Sequence, residues 1–210
     1  MKKGISLFCT VFVLLSSGYA QSEVGVYVHP QSNFIGKNKL STIDPNISSS
    51  VKGKGFTIGS GVFYENCQLE AISFTLGLGY MHHKNTVTYG DTLVAGAGGT
   101  TTLGFVSIPF AATYNFYASE SIKLGIQLNI GINYLIAGKQ NDVSMDLSPL
   151  KFNEKFYLMP GLGIHFTYLF TDNIGMSAIP TASLLTAFDP TSTKYWAFGG
   201  QIRLFYAFGY

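Results

Sequence analysis

Large apolar side chains occupy every second position in eight separate stretches of this chain, and the positions between them are mostly small or polar, Leu135 being the exception in the longest stretch. The longest clean case is "IKLGIQLNIGINYLI", residues 122 to 136. There Ile122, Leu124, Ile126, Leu128, Ile130, Ile132, Tyr134 and Ile136 alternate with Lys123, Gly125, Gln127, Asn129, Gly131, Asn133 and Leu135. A period of two marks a β-strand with unlike faces. The same rhythm runs through 23–30, 56–64, 71–81, 104–116, 156–170, 174–185 and 196–210. The intervals alternate in length: long at 36–54, 82–102 and 137–155, shorter at 189–194, and tight at 65–69, 117–121 and 171–173. Up-and-down order gathers the long connections at one end and the tight turns, with both termini, at the other. An even strand number with that asymmetry predicts an all-β fold, an eight-stranded antiparallel up-and-down transmembrane barrel.

Alternation alone fits a water-soluble barrel equally well, because the two plans are inside-out versions of each other. Charge decides between them. Charged residues make up 11% of the chain, against about 25% in an ordinary soluble domain. Lys37, Lys39, Lys52, Lys54, Lys84, Lys139, Lys151, Lys155 and Lys194 fall in the long connections, with Asp44, Asp91, Asp142, Asp146, Glu154 and Asp189. Glu23, Glu65, Glu70, Glu120 and Asp172 gather at the tight-turn end with Lys123, and only Arg203 stands well inside a strand. A water-facing exterior needs charge at roughly a quarter to a third of its positions, so the bulky apolar face is expected to meet lipid. The interior is then expected to hold glycine and amide or hydroxyl side chains, packed rather than open, since eight strands enclose room for little else. Gln127, His165, Lys123 and Arg203 are the expected lumenal polar and charged groups. Aromatics near strand ends, among them Tyr64, Tyr80, Tyr114, Tyr168, Trp196 and Tyr206, suit two interfacial girdles.

The first twenty residues stand apart. Lys2 and Lys3 precede a short apolar run, Ile5 to Leu15, and Gly18-Tyr19-Ala20 places small residues at the −3 and −1 positions of a signal peptidase site. Residues 1–20 therefore read as a cleaved export leader and 21–210 as one barrel domain. Without the leader, 11 basic residues balance 11 acidic ones. A nucleic-acid binder would carry a basic excess. Cys67 is the single cysteine after the leader, so neither an internal disulfide nor a paired-cysteine zinc site is expected.

The closing alternation of Ile202, Leu204, Tyr206, Phe208 and Tyr210 resembles the C-terminal signal by which barrel-assembly machinery recognises outer-membrane clients. "SIPFAATYNF", with Ile108, Pro109, Phe110, Tyr114 and Phe116, resembles the outer membrane protein β-barrel domain family, small porin-like barrels of Bacteroides-type bacteria. That resemblance implies the outer membrane of a Gram-negative-type envelope and transfers no catalytic residue.

Candidate chemistry is sparse. "AGAGGTTT" (95–102) lacks the strand-to-helix setting of a phosphate loop. His82 and His83 are adjacent in a strand and point to opposite faces, so they and His29 are not expected to share a metal. His165 has no readable serine–acid partner, and no cofactor is expected. Arg203 is costly at membrane depth unless paired; Glu23, on the strand that would close against it, is the nearest expected partner. The long-connection end is net positive, and Lys37, Lys39, Lys52 and Lys54 are candidate contacts for lipopolysaccharide phosphates. The expectation is a non-enzymatic surface barrel with a structural or adhesion-like role and an unknown surface ligand. The alternatives are a narrow porin and an outer-membrane lipid-modifying enzyme.

Overall fold

The computed structural model describes residues 21–39, 50–69, 71–89, 99–187 and 195–209. The expected leader, residues 1–20, lies outside them. Eight long strands form the wall: β1 (Ser22–Lys39), β2 (Ser50–Leu69), β3 (Ile72–Tyr89), β4 (Gly99–Ala118), β5 (Ile122–Gln140), β7 (Phe156–Leu169), β8 (Ile174–Ala187) and β9 (Tyr195–Phe208). A two-residue strand, β6 (Val143–Ser144), extends β5 in a hairpin, and a 3-10 turn spans Phe152–Lys155. Each wall strand pairs antiparallel with its neighbours in sequence, and β1 pairs with β9, so the sheet closes without a free edge along the barrel. The expected architecture is the observed one.

Register fixes the barrel's shape. Stepping from Ser22 through its partners Asn66, Phe74, Ala112, Leu128, Leu162, Ala182 and Phe198 returns to β1 at Ser32, ten residues along. Ten residues at ~3.3 Å against eight strands ~4.8 Å apart give a strand tilt of about 40°. Tyr206 and Trp196, ten residues apart on β9, then lie about 25 Å apart along the axis, the height of an outer-membrane apolar band. Aromatics mark both limits: Tyr114, Phe116, Tyr168, Tyr206 and Phe208 at the turn end, Phe34, Phe56, Trp196 and Phe198 at the other, all exposed.

The wall faces as the charge argument requires. Val26, Val62, Leu78, Ile108, Leu128, Ile164 and Leu204 point outwards and are exposed, Leu128 to 64%. Among the described residues no charged side chain occupies the outer face between the two aromatic levels. Water would leave that surface without its share of charge, whereas acyl chains favour it, and closure satisfies the backbone groups that lipid cannot. Leu128→Arg should therefore destabilise the folded barrel by about 2–4 kcal/mol, the cost of a cation at mid-bilayer depth. Urea titration of the barrel in vesicles measures this, and a neutral or stabilising result would mean the face is wet.

Glycines leave the interior space for its few large groups. A Cβ at Gly61 would stand 2.9 Å from the Tyr27 hydroxyl, and one at Gly79 would also run into it. Three outward prolines, Pro30, Pro160 and Pro180, and one lumenal proline, Pro109, interrupt the ladder: pairing skips Pro30 on the β9 side, Pro109 on the β3 side, and Pro160 and Pro180 across β7–β8. Each removes one ladder donor. The opposite neighbour still pairs at Pro30, Pro109, Pro160 and Pro180, so the wall stays continuous.

Two boundaries differ from expectation. Strand extends into both ends of the long connections: β1 to β5 run 18 to 20 residues and carry Lys37, Lys39, Lys52, Lys54, Lys84 and Lys139 in strands, not in loops. Polar residues there obscured the alternation, yet the backbone needs no apolar face once outside the bilayer. The expected turn at 65–69 belongs to β2, with a register irregularity between Asn66 and Leu69, which places Glu65 in the wall.

Candidate functional site: the sealed lumen and the outer rim

Alternate residues of each strand face inwards, and three layers follow from which residues those are. The layer at the turn end is ionic. Arg203 is 3% exposed and Glu65 2%. Arg203 Nη1 donates to Glu65 Oε2 at 2.8 Å and to Thr75 Oγ1 at 3.3 Å, while its Nε donates to Gln201 Oε1 at 2.9 Å. Ser73 and Thr75 hydroxyls donate to the two Glu65 oxygens at 2.6 and 2.9 Å. The guanidinium also stands over the Phe63 ring, 4.9 Å from its centroid, adding a cation–π contact. Lys123 Nζ reaches Glu23 Oε1 and Gln21 Oε1, both at 3.2 Å. Two cations and two carboxylates thus cancel within one layer.

The expected partner of Arg203 was Glu23. Glu65 takes that place instead, and Glu23 serves Lys123. The 40° tilt is the reason. Arg203 faces Tyr27 on β1, and Tyr27 faces Gly61 on β2. Rows rise across tilted strands, so Glu65, four residues nearer the turn end than Gly61, comes within reach of the guanidinium.

A hydroxyl and amide layer lies above. Gln127 Nε2 donates to Thr113 Oγ1 at 3.1 Å, and Gln31 Nε2 donates to Ser183 Oγ at 3.2 Å. His29 Nε2 shares a hydrogen with Thr181 Oγ1 at 3.0 Å; lower, beside the ion pairs, His165 Nε2 does so with Thr167 Oγ1, the cross-strand partner of Lys123, at the same distance. Free volume here is about 40 Å³, bordered by Gln31, Gln127, Gln201, Arg203 and Met159, room for a few waters. Buried atoms such as Gln31 Oε1, Asn133 Oδ1 and His165 Nδ1 lack a protein partner and would be satisfied by such waters.

The third layer, towards the rim, is apolar. Met81, Phe105, Leu135, Met159 and Leu185 form one buried cluster, with Leu147 and Leu150 of the β6–β7 connection packed on it. The expected interior is glycine, hydroxyl and amide side chains around a few larger polar groups, so this apolar plug is a correction. Each member is an apolar residue at inward parity, one from each of β3, β4, β5, β7 and β8; that coincidence was the available signal. Beside it Asn33 Nδ2 donates to Thr57 Oγ1 at 2.7 Å, and Thr57 Oγ1 lies 2.8 Å from His83 Nδ1. No group of three metal-capable side chains occurs among the described residues.

All four expected interior groups, Arg203, Lys123, His165 and Gln127, line this lumen. Of the four expected phosphate contacts, Lys54 faces outwards and is exposed; the side chains of Lys37, Lys39 and Lys52 lie outside the described residues. On the exposed β6–β7 connection, the Ser148 backbone N–H and hydroxyl donate to Asp146 and hold its carboxyl below the usual range.

No protein-family model matches the chain, so the resemblance carried by Ile108 to Phe116 finds no match. No curated protein matches either. Among solved structures, the chain is similar to the outer membrane protein OprG of Pseudomonas aeruginosa, at 10% identity and TM-score 0.47, over 91% of this chain and 97% of that one. It is similar to Ail, the attachment invasion locus protein of Yersinia pestis, at 10% identity and TM-score 0.41, over 89% and 99%. The outer membrane protein AlkL, solved in lipid bilayers, aligns at 10% identity and TM-score 0.48 over 93% and 94%. Identities this low leave family and activity open.

Proposed function

We propose that this chain is a small outer-membrane β-barrel that acts through its rim and extracellular connections, in a structural or adhesion-like role, without conducting solutes or catalysing a reaction. The observation that carries the reading is the pairing of an uncharged apolar exterior with a lumen closed twice in series. The lower closure is the ion-pair layer; the upper is the Phe105 cluster. In this reading residues 1–20 direct export and are removed, barrel-assembly machinery inserts the rest, and lipopolysaccharide surrounds the rim. Three of the four histidines, His29, His83 and His165, turn inwards onto Thr181, Thr57 and Thr167, away from the lipid-facing rim where a lipid-modifying site would stand; His82 alone has outward parity there, with Ile58 and Gly104 opposite it.

Fractionation with a heat-modifiability gel tests the location and the closed barrel together. The protein should partition with outer membranes and migrate faster unheated than boiled. A chain recovered in the soluble fraction would end the reading. In planar bilayers the purified barrel should give no conductance steps above background. Reproducible steps would replace this reading with a narrow porin.

A further inference from the structure

Six side chains on the outer face of β1–β3 form two rows at the upper aromatic level. Ser32 pairs with Phe56, which pairs with Lys84; in the next row Phe34 pairs with Lys54, which pairs with Thr86. All six are exposed. The short Ser32 and Thr86 among four long neighbours leave a surface depression of about 390 Å³. Lys54 and Lys84 are diagonal cross-strand neighbours, roughly 7 Å apart at their bases, so both ammonium groups can converge on one anion.

Nothing described in the protein balances them. Both ion pairs among the described residues lie inside the barrel, and no described carboxylate shares the outer face of β1–β3. Like charges set diagonally repel unless an anion joins them. Height completes the picture. Lys54 lies two residues beyond Phe56 and Lys84 four beyond Tyr80, about 5 and 10 Å further along the axis. Each lysine shares a row with a phenylalanine, Lys54 with Phe34 and Lys84 with Phe56, and its long stem carries the ammonium group up to headgroup depth while the rings face acyl chains.

We infer that this depression docks the phosphate of an outer-leaflet lipid between Lys54 and Lys84, with the Ser32 and Thr86 hydroxyls as further donors and an acyl chain on Phe34 and Phe56. The inference rests on the outer-membrane reading above and adds Lys84 and the two phenylalanines to it. The occupant is a lipid phosphate and not free phosphate, because the aromatic half gains only from a chain attached to the anion.

The test uses the full mature chain, refolded in neutral detergent and titrated with bisphosphorylated lipid A by native mass spectrometry. Bound lipid A is expected for the wild type. K54E/K84E should bind roughly tenfold or more weakly, having lost two charge-assisted contacts, and lipid A stripped of phosphates should bind wild type as weakly. K151E/K155E, flanking and ending the 3-10 turn away from the depression, should bind like wild type. Millimolar inorganic phosphate should not compete. Equal binding of the dephosphorylated lipid, equal binding by a heat-modifiable K54E/K84E, or full competition by inorganic phosphate each overturns the site while leaving the barrel reading intact. A wild type that never becomes heat-modifiable overturns the membrane reading instead, and the site with it.

Discussion

Arg203→Leu should lower the stability of the folded barrel by about 3–5 kcal/mol, the cost of removing one member of a buried ion pair. The loss is not the worth of the pair itself. Glu65 stays buried with only the Ser73 and Thr75 hydroxyls on its oxygens, and an uncompensated carboxylate in a low-dielectric interior is the expensive item. The companion variant separates the two meanings. Arg203→Leu with Glu65→Leu removes both charges and should recover most of the loss, since replacing a whole buried pair by apolar groups is often close to neutral. Melting of the heat-modifiable band, or urea unfolding in vesicles, measures both. An Arg203→Leu barrel that melts like wild type would show the ionic layer contributes nothing.

Phe105→Ala should cost about 3–5 kcal/mol as well, by a different route. Phe105 is fully buried between Met81, Leu135, Met159 and Leu185 and meets the Tyr157 ring edge-on at 5.1 Å. Truncation leaves a cavity that rigid strands cannot collapse, and the lost contacts add to the lost burial. Conductance should nevertheless stay at background, because the ion-pair layer below still closes the lumen. Channel steps from Phe105→Ala alone would mean that the Arg203–Glu65 layer does not seal. The two variants should add in stability, as the layers share no residue.

Much of this architecture was legible in the chain because one physical rule wrote it. Alternation assigns each side chain to lipid or lumen one residue at a time, so Leu128 outside and Gln127 inside followed from parity alone. The absence of strand charges then settled which face was which. What parity cannot show is stagger. Arg203 meets Glu65 only because strands tilt by about 40°, and no spacing in the sequence encodes that angle. Strand ends were hidden for a related reason: above the bilayer both faces are wet, so residues 38–39 and 50–54 carry no period-two signal although they are paired backbone. The Phe105 cluster was readable one residue per strand, but Leu135 looks like an exception until Met81, Phe105, Met159 and Leu185 are set beside it.

Strand lengths leave the mouth uneven. β1 to β5 have 18 to 20 residues, whereas β7 to β9 have 14, so one flank overtops the other by about 12 Å at this tilt. The connections 40–49 and 90–98 leave from that parapet, while 188–194 leaves from the low flank. A macromolecule descending on the cell would therefore meet the upper ends of β1 to β5 before it reached those of β7 to β9.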